Sequence, residues 1–205
     1  MRRFLLGAAM AAVAVTPAIA GAATADEPAV TASSTVVVNE VSTRGPANAL
    51  DEFIELRNIT SQPQDISGWQ IRIYGPNNFV VDTITVFEGT VLSPRDNLGQ
   101  FLVVQGTNLT APITDNTNVQ LYTPSSTVGV PSNGGVAIFN QSGVKVDGIS
   151  FANPVTTPRE GQPAVQQTPA MDQLEPSSAR DILSTDTDNN RVDFTLHKRT
   201  PGALN

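Results

Sequence analysis

The sequence predicts an all-β domain, a sandwich or a barrel, on three observations. Segments of four to eight residues rich in Val, Ile, Phe and Thr recur along the chain, clusters of Gly, Pro, Asn, Asp and Ser separate them, and no amphipathic helical period is convincing. Short strands broken by frequent turns bury their apolar faces against a second sheet or by closing on themselves.

The first 25 residues stand outside that pattern. Arg2 and Arg3 precede an apolar run from Phe4 to Val15, and small residues follow with Ala-x-Ala spacings ending at Ala20, Ala22 and Ala25. That order is an export signal, and its apolar run is shorter than the roughly 20 residues that span a bilayer. The twin-arginine route fits only imperfectly, since the pair sits directly before Phe4-Leu5-Leu6. Residues 1–25 are therefore read as a signal peptide, 26–34 as a flexible lead-in and 35–205 as one domain.

Nine short strands are expected in order: 35–41 (TVVVNEV), 52–59 (EFIELRNI), 69–75 (WQIRIYG), 79–86 (FVVDTITV), 99–105 (GQFLVVQ), 118–122 (NVQLY), 135–140 (GVAIFN), 144–151 (VKVDGISF) and 192–197 (VDFTLH). In the second strand Ile54 and Leu56 share one face, and Phe53, Glu55, Arg57 and Ile59 share the other. In the third, Trp69, Ile71 and Ile73 face one way. Trp69, Ile71, Ile73, Ile54 and Leu56 are the expected core. Gly75-Pro76-Asn77-Asn78 and Asn140-Gln141-Ser142-Gly143 make hairpins of 69–86 and 135–151. The stretch 52–75 reads as a loop-connected pair of strands, with Pro63 confined to the loop and Gly68 allowing the turn into Trp69. From 152 to 191 the pattern dissolves into Pro, Gln, Thr, Ser and Asp. So long an irregular stretch is expected to be an excursion pinned to the sandwich, with one short helical turn near Ser178 to Ile182.

Composition narrows the function. The chain carries 12 Lys and Arg against 19 Asp and Glu, a net charge of −7 that becomes −9 without Arg2 and Arg3. An acidic surface repels phosphate backbones and anionic lipid, so neither nucleic acid nor a membrane is an expected partner. With no cysteine, stability must come from the core or from bound ions rather than disulfides.

Candidate chemistry is sparse. His197 is the lone histidine, no Gly-x-Ser-x-Gly elbow accompanies it, and a zinc site would need several His or Cys ligands. It is read as a surface residue. Glu40, Asp51, Glu52 and Glu55 could meet across neighbouring strands as acid/base pairs. With Arg44, Arg57 and Arg72 in the same segments, they are read as solvated or ion-paired surface charges. Aromatic residues make up 5% of the chain, thin support for sugar binding, and the three glycosylation sequons at Asn58, Asn108 and Asn140 are expected to be idle. The sharpest candidate is 184–193, STDTDNNRVD. Asp186, Asp188 and Asn190 alternate like the first ligands of a calcium loop, with Asp193 nearby. Arg191 replaces the glycine of an EF-hand and no closing glutamate follows, so a calcium site of another geometry competes with a self-satisfied Asx-turn loop. No other cofactor is expected.

The ordered set VVVNEVSTRG, DEFIELRNIT, QDISGWQIRIYG, GTVLSPRDNLGQFLVV, VKVDGISF and DTDNNRVDFTLHKRTPGALN resembles the bacterial members of the lamin tail domain family. The resemblance implies an immunoglobulin-like β-sandwich. It also implies an interaction module of a kind that, in exported bacterial relatives, accompanies hydrolase domains. No heptad rod of the nuclear lamins is present. The expectation is an exported, secreted, non-catalytic interaction or structural module, monomeric, with a protein or cell-surface partner. The alternatives are an accessory factor binding an extracellular hydrolase or its substrate, and a carboxylate-based hydrolase.

Overall fold

The computed structural model describes residues 32–125 and 129–205. The signal peptide and residues 26–31 of the lead-in lie outside them. At residue 33 the chain is already fastened, with the Ser33 amide donating to Asp186 Oδ2 at 2.6 Å.

Twelve strands form among the described residues: β1 Val36–Ser42, β2 Phe53–Asn58, β3 Gln64–Asp65, β4 Gln70–Tyr74, β5 Val80–Thr85, β6 Val91–Leu92, β7 Phe101–Gly106, β8 Val119–Tyr122, β9 Gly135–Phe139, β10 Lys145–Ser150, β11 Pro176–Ala179 and β12 Thr195–Lys198. They make a six-stranded sheet in the order β12-β11-β1-β2-β7-β8, a four-stranded sheet β10-β9-β4-β5, and the small pair β3-β6. The fold is an immunoglobulin-like β-sandwich. All nine expected strands are present, although the last begins at Thr195 because Val192 and Asp193 belong to a helical turn; the additional three are two-residue pairings and β11, whose Pro-Ser-Ser-Ala carries no apolar alternation.

One core lies between the two large sheets. Val36, Val38, Val41, Ile54, Leu56, Leu102 and Val104 line it from one side, and Ile71, Ile73, Ile84, Val136, Ile138 and Ile149 from the other. Strict alternation would send Val41 away from Val36 and Val38. The register of β1 on β2 shifts between Val38 and Glu40, leaving Asn39 as an extra residue. This bulge returns Val41 to the core and turns Glu40 outward.

Four of the five expected core residues, Ile54, Leu56, Ile71 and Ile73, are buried there, whereas Trp69 is only half-buried against its margin. Trp69 precedes β4, directly after the left-handed turn at Gly68 (φ 68°), so its ring covers the end of the core instead of entering it. The stretch 52–75 is a loop-connected pair of strands as expected, but the loop passes from one sheet to the other. Its two strands do not pair: β2 belongs to one sheet and β4 to the other, and the loop carrying β3 crosses between them. Both therefore offer their apolar residues to the same core from opposite sides. The hairpins β4–β5 and β9–β10 form antiparallel pairs as expected.

Within 152–191 the helical turn is misplaced in the sequence reading. Ser178 lies in β11, paired with Val41 on one side and Leu196 on the other, and small residues suit a strand squeezed between two neighbours. A 3-10 helix instead spans Pro169–Leu174, and a single α-turn spans Asn190–Asp193, its N-terminus capped by the Asn189 side chain.

A core site and an exposed site separate cleanly. Leu56→Ala is expected to cost about 2–5 kcal/mol in urea unfolding, while Val81→Ala, at a position 42% exposed, is expected to change stability by less than about 0.5 kcal/mol.

Candidate functional site

The carboxylates Glu40, Asp51, Glu52 and Glu55 are all buried, and this overturns their reading as surface charges. The outer face of β1 and β2 is not open to water because residues 199–202 lie across it. Glu40 and Glu55 are opposite each other in the β1–β2 register. The Thr200 amide and hydroxyl donate to the two oxygens of Glu40 at 2.9 and 3.0 Å, and the Ser177 hydroxyl adds a further bond. Glu55 accepts from the Gly202 amide at 2.6 Å and from Asn39 Nδ2 at 2.8 Å. Arg199 reaches Asp51 Oδ1 at 2.6 Å, and Asp51 also accepts from the Thr110 amide and hydroxyl. Thr114 and Asp115 in turn donate their amides to the carbonyls of Pro201 and Gly202.

Burial pushes Glu55 well above the ordinary carboxylate range, and repulsion from Glu40 adds to it. Glu40 is raised by burial too, against the hydrogen bonds from Ser177 and Thr200. Burial also opposes the charge of Asp51, but its hydrogen bonds from Thr110, Arg199 and Ala47 outweigh that and hold it below its ordinary value. Glu52 is different. One oxygen accepts from the Val130 amide at 2.7 Å and the other has no hydrogen-bond partner among the described residues. Burial raises it from 4.5 to about 8.

Arg44, Arg57 and Arg72, of the same segments, are engaged as well. Arg44 clamps Asp172 through Nε and Nη2 at 2.6 and 2.9 Å, Arg57 is buried and bonds Gln100 and Ser184, and Arg72 lies 4.0 Å over the Phe139 ring.

A second charged group forms where β10, residue 160 and the 184–193 loop meet around Arg180, which is fully buried. The Asn39 carbonyl of the β1 bulge accepts the Arg180 amide, and the Val38 carbonyl accepts Arg180 Nε at 2.9 Å. The guanidinium stacks 4.4 Å from the Phe194 ring. Nη2 lies 3.1 Å from both oxygens of Asp147, and Nη1 lies 3.3 Å from Asp186 and 3.2 Å from Asp193. Glu160 stands beside Asp147, with Lys145 at 3.0 Å. Burial first, and then the Asp147 charge, raise Glu160 to about 9. Asp188 is raised by burial and by Asp186 and Asp193.

The 184–193 residues singled out from sequence divide in two. Asp186 and Asp188 sit in this charged group. Asn190 is occupied with backbone: Oδ1 accepts from the Ser150 and Glu160 amides and Nδ2 donates to the Gly148 carbonyl. Asp193 accepts from the Thr187 amide and hydroxyl as well as Arg180. His197 is exposed, its Nε2 2.6 Å from Thr195 Oγ1. It shares with Asp193 a cleft of about 550 Å³ lined also by Asp181, Thr187 and Val192, but the oxygens of Asp193 are already held from within. Arg180, Asp147 and Glu160 escaped the sequence reading. A charged residue inside the apolar strand VKVDGISF was the one available signal.

The covering segment is testable through Gly202. Its φ of 76° and its distance leave no room for a side chain, since a Cβ there would lie 2.6 Å from the Asp115 amide nitrogen. Gly202→Ala is expected to destabilise by about 2 kcal/mol or more, read as a lower urea midpoint. Glu52 carries a pH signature. The native state keeps a proton that the unfolded chain releases, so its contribution to stability falls as pH rises from about 4.5 to about 8. Glu52→Gln keeps an acceptor for Val130 and carries no charge. It is expected to match the natural chain near pH 4 and to exceed it by a few kcal/mol at pH 8; an equal difference at both pH values would contradict this origin.

No curated protein matches the chain. The family model described as Lamin Tail Domain matches residues 29–153, which take in part of the lead-in, β1 to β10 and most of the common core. That match covers more than half of the sequence and coincides with an immunoglobulin-like β-sandwich, so the chain belongs to the lamin tail domain family.

Proposed function

We propose that this chain is an exported, non-catalytic β-sandwich that works outside the cytoplasm as an interaction or structural module for a protein or cell-surface partner. The observation that carries the reading is the burial of Glu40, Asp51, Glu52 and Glu55. The carboxylates that acid/base hydrolysis would use lie beneath backbone and are bonded to it, and a general acid or base must reach its substrate directly or through one water. The export signal of residues 1–25 supports secretion. No helix of the described residues is long and apolar enough to cross a membrane, and the net charge of −7 disfavours nucleic acid and anionic lipid. The module is proposed to act as a monomer.

A second reading, an accessory factor that binds an extracellular hydrolase or its substrate, draws on the side of the sandwich where β5 meets β8. Gln120 and Tyr122 of β8 bond Thr85 and Asp82 of β5, and Phe79, Phe87 and Leu121 on this side are 75%, 62% and 62% exposed. Aromatic residues left in water at a sheet edge suit burial against another protein.

A panel of phosphoesters and glycans is expected to show no turnover by the purified chain. Hydrolysis that disappears in Glu55→Gln, with urea unfolding unchanged, would overturn the non-catalytic reading. For the accessory role, retention of a hydrolase from the culture medium is expected to be lost in Phe79→Ser with Phe87→Ser; retention by that variant would count against the β5–β8 side.

A further inference from the structure

We propose that the carboxylates of Asp147, Glu160 and Asp186, with Asp188 beside them, bind one divalent cation of the calcium class. One oxygen from each of the first three lies within 4.8 Å of the others, although they come from β10, from the irregular segment and from the 184–193 loop. Around a calcium ion with oxygen bonds of about 2.3–2.6 Å, ligand atoms are separated by at most about 5 Å, so the three oxygens fit one coordination sphere. Magnesium, with bonds of about 2.0–2.1 Å, asks for a tighter group.

The second observation is independent of that convergence. Glu160, with a side chain 2% exposed, has Lys145 on one oxygen and no hydrogen-bond partner on the other. Asp188 Oδ1 is likewise buried without a partner among the described residues. Buried carboxylate oxygens are ordinarily paired, hydrogen-bonded or bound to metal. Five carboxylates, those of Asp147, Glu160, Asp186, Asp188 and Asp193, surround two cationic side chains, Arg180 and Lys145. With every carboxylate ionised the group carries a formal charge of −3, which a divalent ion reduces to −1. The donor set holds only carboxylate oxygen, which selects a hard cation over zinc or copper. Asn190 and Asp193 serve this site from outside the sphere. Asn190 fixes the Glu160 amide, and Asp193 holds the 187–189 backbone and shares Arg180 with Asp147.

The test is isothermal titration calorimetry and thermal unfolding of the full chain with calcium, with magnesium and with chelator. One calcium per chain is expected, with a Tm about 5 °C or more above the chelated protein at saturation. Glu160→Gln is expected to weaken calcium binding by at least about tenfold, and Glu52→Gln to leave it unchanged. Should Glu160→Gln fail to fold, Asp188→Asn takes its place with the same expected direction. Absence of both heat and Tm shift at millimolar calcium would overturn the site. So would a calcium response untouched by the substitution, and equal binding of magnesium would overturn the assignment to calcium.

Discussion

Two glutamates facing each other on the covered side of a sheet constrain much of this structure. Glu40 and Glu55 are register partners on β1 and β2, and neither reaches water. A buried carboxylate without donors is costly, so the strands can hold these residues only if backbone amides and hydroxyls are brought to them. Residues 199–202 do this, and their own carbonyls are taken up by Thr114 and Asp115. A face that would otherwise be wet becomes a second interior, polar and hydrogen-bonded, on the opposite side of β2 from the apolar core.

The bulge at Asn39 links the two interiors. By adding one residue to β1 it keeps Val41 with Val36 and Val38, places Glu40 on the covered face, and frees the Asn39 carbonyl for Arg180. Arg180 then gathers Asp147, Asp186 and Asp193. One local irregularity thus positions both charged groups. The family match ends at residue 153, yet β11, β12, Arg180 and the covering segment lie beyond it and complete the same sheet.

Much of the fold was legible because its signals are local. Ile54, Leu56, Ile71 and Ile73 alternate within their strands, and the hairpin turns at 75–78 and 140–143 carry residues suited to them. The failures share a cause. Glu55 reads as a surface residue from its neighbours because the segment that buries it is 147 positions away. The strand β11 has no pattern of its own and exists through β1 and β12. Trp69 is apolar and in phase with Ile71, but one position outside the strand. In the Arg180 group, Asp186 and Asp188 were visible through their spacing, whereas Asp147 and Glu160 were not, since only the folded chain brings them close.

The pairing of β1 has a kinetic side. Its neighbour β11 and the donors to Glu40 come from residues 176–200, so contacts of the earliest strand span up to 160 positions. Closing so long a loop precedes any reward from the contact, which makes this a topology of high contact order and slow folding. During synthesis from the N-terminus, β1 cannot pair with β11 until residues 176–179 have emerged. The six-stranded sheet is therefore completed late, when residues 176–202 reach β1 and β2, whereas the β4–β5 and β9–β10 hairpins need only near neighbours.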